Sequence, residues 1–488
     1  MSKFPPSKLF VISVVISFGG SFHFGYQLVL TNPSQNAFIT FLNDSFALHY
    51  GSTLENAFAQ AAWSAVVAVL FVGAIVGSLS LGCVGEKLGR KRGLYFSFTM
   101  TLIAAATSIV SLFVISFELY ALSRVLTGYS LSLSLGLSAL YLNESSPKEC
   151  RGFVSMMIGV MVQLGTVVAS VVAMPSLLGT TQNLWYLYLL ECITLICVIV
   201  TLPFMPESPG YLGLRGDDAA ARSSIMFLHG CEPSQAEVIL CEIKENLKQN
   251  AKALSVSEVW RQKQTRQGTI VGIAVSLSMS FSGIAVVNAY AVEILRGCGL
   301  SLTDASLGNI LLAVVSLLAI VISSFVVDRF GRRPLILVSS TVILVLNLAI
   351  FGLMYAFNRF HHTWTGYVLV VVISIFIIFF AIGPGPLCYF ITAEMVDQNA
   401  RAAAQSWASF TQMACRTVLL TIYLPIVHQI GQALAYLALF VVPLVLAVLF
   451  LYFNMPETKN KNYNEVSRNR QMRRVCYSMS DVSTQRQR

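Results

Sequence analysis

Charged side chains are scarce in this chain. Only 11% of its 488 residues are Asp, Glu, Lys or Arg, whereas 56% are hydrophobic. Soluble domains carry about 25% charged residues, so this composition cannot supply a water-exposed surface around a core. Apolar runs recur along the sequence, and a helix needs roughly 20 apolar residues to cross the core of a bilayer. The sequence therefore predicts an all-α integral membrane protein with the lipid bilayer as its surroundings.

Motifs that would carry catalytic chemistry are missing as well. The ten cysteines are scattered, with no CxxC pair and no metal-ligand spacing, so free thiols are expected and no metal or other cofactor is predicted. The stretch GCVGEKLG (82–89) has neither the glycine spacing nor the Gly-Lys-Ser/Thr ending of a phosphate-binding loop. No nucleophile elbow is present. ATP-driven transport and enzymatic catalysis are thus left without residues to perform them.

Twelve apolar segments are long enough to cross a membrane. The predicted spans are 9–30, 61–83, 94–115, 119–142, 153–175, 184–204, 267–290, 306–327, 334–356, 365–390, 402–427 and 433–454. A polar segment between the sixth and seventh spans is typical of short amphipathic helices outside the bilayer. The predicted organisation is an N-terminal six-helix half (1–204), a cytoplasmic helical linker (205–266), a C-terminal six-helix half (267–455) and a cytoplasmic basic tail (456–488).

The distribution of basic residues gives the predicted orientation. Lys and Arg cluster after the second, fourth and eighth spans, in the linker and in the tail, whereas the alternate loops are nearly bare of them. Basic loops stay on the cytoplasmic side, so both termini are expected there. The net charge of +9 then reflects topology and contact with anionic lipid headgroups. It gives no reason to expect nucleic acid as a partner.

Three motifs recur in the same order in the two halves. The pairs are GEKLGRK (85–91) with VDRFGRR (327–333), Glu144 and Arg151 with Glu394 and Arg401, and Pro206-Glu207 with Pro456-Glu457. The members of each pair lie at the same ends of corresponding spans, which predicts two parallel six-helix pseudo-repeats. Transporters built from such repeats rock around a binding site near the midplane of the bilayer.

An ordered set of motifs makes a family resemblance specific. The set contains FGYQLVLTN (24–32), RVLTG (124–128), YLNESSPKECRG (141–152), PESPG (206–210), GPGP (383–386) and PETK (456–459). Together with the two Gly-Arg loops, it resembles the sugar porter branch of the major facilitator superfamily, and within it the animal facilitative glucose and fructose transporters. The likeness runs from about Gly20 to Lys461. It implies the twelve-helix major facilitator fold, alternating access, a hexose-like substrate and a location in the plasma membrane.

The resemblance also implies a charge network at the cytoplasmic ends of the helices. By position, its members are Glu86, Arg90, Lys91, Arg124, Glu144, Arg151, Glu207, Asp328, Arg332, Arg333, Glu394, Arg401 and Glu457. Such pairs would hold the cytoplasmic face shut in one state and separate in the other, each worth about 0–1 kcal/mol. The alternative is that these charges only anchor the topology. One arginine of the family pattern is replaced here by Gly210.

The expected sugar site departs further from the family pattern. In the seventh span, the family's Gln-Gln-Leu-Ser-Gly motif and a following asparagine fall on MSFSGIA (279–285). Sugar recognition needs amides that both donate and accept hydrogen bonds, and an unpaired polar group in a dry site costs roughly 1–3 kcal/mol. The remaining candidates for substrate binding are Gln27, Asn32, Gln163, Ser280, Ser282, Asn288, Tyr290, Tyr389, Gln412 and Arg416. Each has the alternative role of joining helices within the membrane.

Arg416 falls near the middle of the eleventh predicted span, where an unpaired charge costs several kcal/mol. An arginine that faces the cavity would attract an anionic substrate. Alternatively, it pairs with Glu293 at the end of the seventh span, or the boundary of its own span is misplaced. Gln27 stands where proton-coupled relatives carry an aspartate, and an amide cannot titrate. Passive transport is therefore expected.

The sequence as a whole predicts facilitative transport of a hexose-like sugar by alternating access, with a substrate that need not be glucose. Two alternatives stay open, namely an organic-anion uniporter that uses Arg416 and a sensor that binds a nutrient without moving it. A monomer fits this pattern. Asn43, in the sequon Asn43-Asp44-Ser45 of the long first outer loop, is predicted to carry a glycan.

Overall fold

The architecture is helical throughout the part of the chain that the computed structural model describes, which comprises residues 5–147, 150–249, 254–327, 331–362, 364–396 and 400–458. No β-strand occurs within these ranges. Twelve helical segments there are long and apolar enough to span a membrane. A helix satisfies its backbone hydrogen bonds internally, which is why such segments can cross hydrocarbon. The predicted all-α membrane fold with twelve spans is confirmed.

The first six spans make up the N-terminal half. Its helices are α1 (Ser7–Ser17), α2 (His23–Val29), α3 (Gln35–Tyr50), α4 (Asn56–Leu88), α5 (Arg90–Val114), α6 (Phe117–Ser145), α7 (Arg151–Val172) and α8 (Leu184–Thr201). A π-helical turn, Phe18–Phe22, joins α1 to α2, so the first span is continuous but bulged. The helix α3 lies in the connection between the first and second spans.

The linker and the second six spans follow. The linker contains α9 (Pro209–Arg215), α10 (Asp218–His229) and α11 (Pro233–Gln249). The C-terminal half contains α12 (Lys263–Phe281), α13 (Ile284–Arg296), α14 (Leu302–Val327), α15 (Arg332–Phe360), α16 (Trp364–Ile382), α17 (Pro384–Met395), α18 (Arg401–Ile430), α19 (Gln432–Tyr436) and α20 (Val442–Asn454). The two halves meet where α4 packs against α18 and α7 packs against α14.

The seventh span is broken at Gly283. This residue lies between α12 and α13 and has φ of +96°, a left-handed value that disfavours a Cβ atom. At the break, the carbonyl oxygen of Ser282 accepts a hydrogen bond from Asn347 Nδ2 at 3.0 Å. A side chain from the ninth span thus supplies a donor at the point where the helix is interrupted. The serine-rich stretch 276–281 lies on α12, which ends just before this break.

Glycines let helix backbones touch inside the N-terminal half. A Cβ atom built on Gly73 of α4 would lie 2.0 Å from the carbonyl oxygen of Val125 in α6, and one on Gly128 would lie 1.7 Å from that of Leu70. These neighbours are backbone atoms, so a larger residue would push the two helices apart. Close backbone contact of this kind supports helix association in membranes, where apolar surface alone gives little preference for a neighbour.

Replacing Gly73 by alanine is expected to lower thermal stability, because the added methyl group must separate α4 from α6, and overpacking of this kind costs about 1–3 kcal/mol. Gly82 lies in the same helix with open space around its Cβ position. Gly82→Ala is therefore the matched control and should leave stability unchanged or slightly raised. Thermal unfolding in detergent, followed by tryptophan fluorescence, measures both variants. Equal unfolding midpoints would contradict the close contact.

Candidate functional site

A cavity lies between the two halves. Its polar lining combines Gln27 of α2 and Arg124 of α6 with Asn288 of α13 and Arg416 of α18. About 360 Å³ of empty space lies within it, but the centre of a water molecule can occupy only about 20 Å³ of that space. In this conformation the cavity is thus constricted to a volume that suits a water molecule or two.

A second cavity shares Asn288 with the first. It is as narrow as the first, because the centre of a water molecule can occupy only about 20 Å³ of it. Its other polar lining residues are Gln163, Thr166, Ser170, Asn309 and Ser316. Thr166 Oγ1 donates to Gln163 Oε1 at 3.2 Å, and Asn309 Nδ2 donates to Ser170 Oγ at 3.2 Å. Amides and hydroxyls from α7 and α14 thus face each other across the boundary between the halves.

Arg416 enters the first cavity without a counter-ion. The residue is 6% exposed, its Nε has no hydrogen-bond partner, and its guanidinium carbon lies 5.9 Å from the ring centroid of Phe71. Within the described part of the chain, no ion pair joins it to Glu293, so that alternative is not realised here. It lies at the middle of α18, so the span boundary is not misplaced either.

Arg124 lies in the wall of the same cavity. Its Nη1 donates to Gln27 Oε1 at 2.6 Å. It stands in the second turn of α6, about 20 residues and hence roughly 30 Å of helix from Glu144 near the other end. The assignment of Arg124 to the cytoplasmic charge network is therefore wrong. The sequence carries a signal for this, because the predicted span 119–142 places Arg124 near the end opposite the basic residues that follow the span.

Gln27 links Arg124 to a carboxylate behind the cavity wall. Gln27 Nε2 donates to Glu191 Oε2 at 2.5 Å, and Glu191 Oε1 lies 3.5 Å from His23 Nδ1. Glu191 is 2% exposed and His23 is fully buried. Glu191 was not among the predicted site residues, although an acidic side chain in the middle of the sixth span is a signal for function. The carboxylate balances the charge of Arg124, whereas Arg416 has no such compensation.

Asn32 joins the two halves. Its Nδ2 donates to the carbonyl oxygen of Asn288 at 3.0 Å and to Asn309 Oδ1 at 3.2 Å, while its Oδ1 accepts from the backbone amide of Val292 at 3.0 Å. The amide group is thus fully engaged by α13 and α14. Asn32 positions the elements that carry the cavity and is not itself open to a ligand in this conformation.

Three other candidates are engaged within the C-terminal half. Ser280 Oγ donates to the carbonyl oxygen of Ser276 at 3.0 Å, and Ser282 Oγ donates to that of Met279 at 2.6 Å. Gln412 Nε2 donates to Met279 Sδ at 2.7 Å. None of the three candidates lines either cavity. The serines therefore satisfy themselves on their own helix, as expected for buried hydroxyls there.

At the end of the N-terminal half that meets the linker, Glu207 caps α5. Its Oε1 accepts from the backbone amides of Arg90 at 3.1 Å and Lys91 at 2.9 Å, which places negative charge at the positive end of the helix dipole. Glu144 accepts from Arg90 Nε at 3.0 Å and Nη2 at 2.6 Å, and also from Ser208 Oγ. These contacts tie the linker to the third and fourth spans.

The C-terminal half repeats this arrangement. Glu457 accepts from the backbone amides of Arg332 at 2.9 Å and Arg333 at 3.1 Å, at the start of α15. Glu394 accepts from Thr458 Oγ1 at 2.5 Å and lies 3.5 Å from Arg332 Nε. The internal repeat of the sequence thus corresponds to one capping arrangement built twice.

Other members of the predicted network stand apart from these caps. Glu86 and Arg401 are exposed and make no hydrogen bond or ion pair with another described residue. A Cβ atom on Gly210 would lie 3.0 Å from Glu144 Cδ, so the arginine that the chain lacks there would face this carboxylate. The following predicted site residues lie outside the described part in whole or in their side chains: Arg151, Asp328 and Tyr389.

Asn43 lies in the helix α3 and not in an irregular loop. Its side chain is half-buried, and its Oδ1 has no hydrogen-bond partner. Ser45, the third residue of the sequon, is fully buried and accepts from the backbone amide of Phe117 at 2.9 Å. Glycosylation of Asn43 stays a prediction.

Removing the charge of Glu207 is expected to loosen the start of α5, because a neutral amide interacts more weakly with the positive end of a helix. Capping interactions of this kind contribute about 0.5–2 kcal/mol. Glu207→Gln should speed amide exchange in the first turn of α5, and Glu86→Gln, which removes a nearby charge from an exposed side chain, should not. Hydrogen–deuterium exchange with mass spectrometry makes the comparison. Unchanged exchange in Glu207→Gln would contradict the capping role.

Comparison with known proteins agrees with this geometry. Residues 12–469 match the family described as sugar (and other) transporter. The chain is 30% identical over 470 residues to facilitated glucose transporter member 1 of solute carrier family 2 from Gallus gallus, with 92% of this chain and 90% of the relative covered. It is 27% identical to member 5 from Equus caballus, with 94% and 91% covered.

Solved structures show the same fold. The partially occluded inward-open conformation of the xylose transporter XylE from E. coli superposes with a TM-score of 0.77 at 22% identity, covering 94% of this chain and 100% of that chain. An inward-open conformation of the same transporter superposes with a TM-score of 0.76. The twelve spans, the repeated caps and these similarities lead to one conclusion: the chain belongs to the sugar transporter family and has the major facilitator fold.

Proposed function

We propose that the protein moves a hexose-like sugar down its concentration gradient by alternating access, without coupling to protons. The observation that carries this proposal is the cavity between the halves with its two amides and two arginines, which is bridged at one end by hydrogen bonds from one half to the other. A carrier of this kind needs halves that separate at one end while they stay joined at the other.

The bridging contacts lie at the end of the molecule away from the capping glutamates. Ser64 Oγ and Tyr290 Oη are 3.1 Å apart, and Gln60 Oε1 and His428 Nε2 are 2.5 Å apart. Gln60 is in the first turns of α4 and His428 in the last turn of α18, whereas the caps adjoin the opposite ends of these helices. The capping ion pairs stay within one half each, so they leave that end free to open.

Transport without proton coupling is supported by the wall of the cavity. Gln27 faces the cavity with an amide, which does not titrate. The Glu191 carboxylate lies behind it, is bonded to Gln27 and adjoins His23, and does not line the cavity. We place the protein in the plasma membrane with both termini in the cytoplasm, on the basis of the family resemblance and the distribution of basic residues.

A disulfide between positions 60 and 428 is expected to stop transport, because it would hold the bridged end shut. The double variant Gln60→Cys/His428→Cys, oxidised in proteoliposomes, should lose uptake of labelled glucose or fructose and recover it on reduction. Each single-cysteine variant is the control, since exposed native thiols such as Cys83 and Cys197 react as well. Full uptake by a double variant whose cross-link is verified by mass spectrometry would refute alternating access.

Uptake of a neutral sugar is expected to be the same with and without an inward proton gradient, because no titratable group lines the first cavity apart from its two arginines. Arginine stays charged across the physiological range. The measurement is the initial uptake rate into proteoliposomes with an acidic exterior, compared with the rate after addition of a protonophore. A severalfold stimulation that the protonophore abolishes would point to symport and overturn this part of the proposal.

A further inference from the structure

Two neighbouring cavities of contrasting chemistry share Asn288. The first is lined by two cations, Arg124 and Arg416, and by no carboxylate. The second is lined by amides and hydroxyls, among them Gln163 and Ser316, and by no charged side chain. A ligand that occupied both would therefore meet positive charge at one end and groups suited to hydroxyls at the other.

The positive charge in the first cavity belongs chiefly to Arg416. The charge of Arg124 is compensated by Glu191, since Gln27 accepts a hydrogen bond from Arg124 and donates one to Glu191. Arg416 is more than nine-tenths buried, and its Nε has no partner. A cation inside a membrane protein is stabilised only by an anion, by polar groups or by water. The structure supplies Arg416 with no anion, so a ligand is the natural source of one.

The position of the guanidinium suits a carboxylate. Its carbon lies over the ring of Phe71, at 5.9 Å from the centroid, within the range of a cation–π interaction. The N–H donors lie in the plane of the guanidinium, and a carboxylate accepts two of them at once. Ala285 and Ala289 line the same cavity, and their small side chains fill little of it.

The second cavity suits hydroxyl groups. Gln163 accepts from Thr166 through Oε1, which leaves its Nε2 without an acceptor among the described residues. The side chains of Ser316 and Asn288, which also line this cavity, make no hydrogen bond with another described residue. Amides and hydroxyls donate and accept, as the hydroxyl groups of a sugar require. A neutral hexose would fill this part and leave Arg416 unpaired.

We propose that the transported substrate is a sugar acid, a hexuronate or an aldonate, whose carboxylate pairs with Arg416 while its hydroxyls bind along Asn288 and Gln163. This assignment rests on the proposed transport function and specifies its substrate. It also accounts for the seventh-span sequence, in which the family's sugar-binding amides are replaced. A substrate anchored by an ion pair depends less on those amides than a neutral sugar does.

The test is uptake of radiolabelled glucuronate, gluconate and glucose into proteoliposomes that contain the purified protein. The variants are Arg416→Gln, which removes the charge, Arg416→Lys, which keeps it without the paired donors, and Arg359→Gln as the matched control. Arg359 is an exposed arginine in the last turn of α15, away from both cavities. Glucuronate uptake should fall at least tenfold in Arg416→Gln, less in Arg416→Lys and not at all in Arg359→Gln.

Membrane potential provides an independent readout, because a uniporter of a monoanion moves one charge per cycle. With an inside-positive potential of about 60 mV, set by potassium and valinomycin, glucuronate should accumulate about tenfold over its external concentration. Glucose, which carries no charge, should not exceed its external concentration. Equal final levels of glucuronate with and without the potential would contradict uniport of the anion.

The outcomes separate this inference from the function on which it rests. Glucose uptake that exceeds glucuronate uptake and survives Arg416→Gln would overturn the sugar acid and leave sugar transport standing. Absence of flux for all three compounds and for fructose would refute the proposed function. In that case, the thermal unfolding midpoint of the purified protein, measured with and without glucuronate, shows whether the protein binds glucuronate. Stabilisation that disappears in Arg416→Gln would support the site, and no stabilisation of the wild type would overturn it.

Discussion

An unpaired backbone amide or carbonyl in hydrocarbon costs several kcal/mol, and most of this molecule follows from that cost. The chain crosses the bilayer as helices because helices pair these groups internally. At one helix break and two helix starts, a side chain from elsewhere in the chain supplies the missing partner. Asn347 does so at the break beside Gly283, and Glu207 and Glu457 do so at the starts of α5 and α15. The Asn347 contact ties the ninth span to the seventh, and the two glutamates tie the linker to the third span and the segment after the twelfth span to the ninth.

The low dielectric constant of the interior imposes a second constraint, on charge. Arg124, Gln27, Glu191 and His23 form a compact set in which a cation and an anion are separated by one amide. Such a set is internally compensated and rigid. Burial of the Arg416 charge also costs free energy, but no carboxylate of the described residues lies near enough to offset that cost. The two arginines of the cavity therefore differ. Arg124 is neutralised within the protein and forms part of the cavity wall, whereas Arg416 is left to be neutralised by a ligand.

Sequence patterns predict much of this fold because they are local. Hydropathy is sufficient to predict the twelve spans. The duplicated motifs are sufficient to predict the internal repeat, and the ordered motif set is sufficient to predict the family. The partners of individual side chains are not local. The family resemblance assigns Arg124 to the wrong end, although the limits of the fourth predicted span place it at the other end. Glu191 stands out as a charge inside an apolar run, but its partner Gln27 lies 164 positions away in the chain and no local pattern reveals the pairing. Arg416 is found from sequence because a charge inside a long apolar run is itself a local anomaly.

The π-helical turn Phe18–Phe22 has a consequence for the first span. Such a turn holds one extra residue, and each residue of a helix advances the direction of the side chains by about 100°. The wider turn accommodates that residue, so the side chains on either side keep the directions of a regular helix that is one residue shorter. Loss of one residue from Phe18–Phe22 would therefore leave Gln27 directed at Arg124 and Glu191, whereas loss of one residue between this turn and Gln27 would rotate Gln27 away by about 100°. The first span thus tolerates a change of length at the π-helical turn that it would not tolerate in α2.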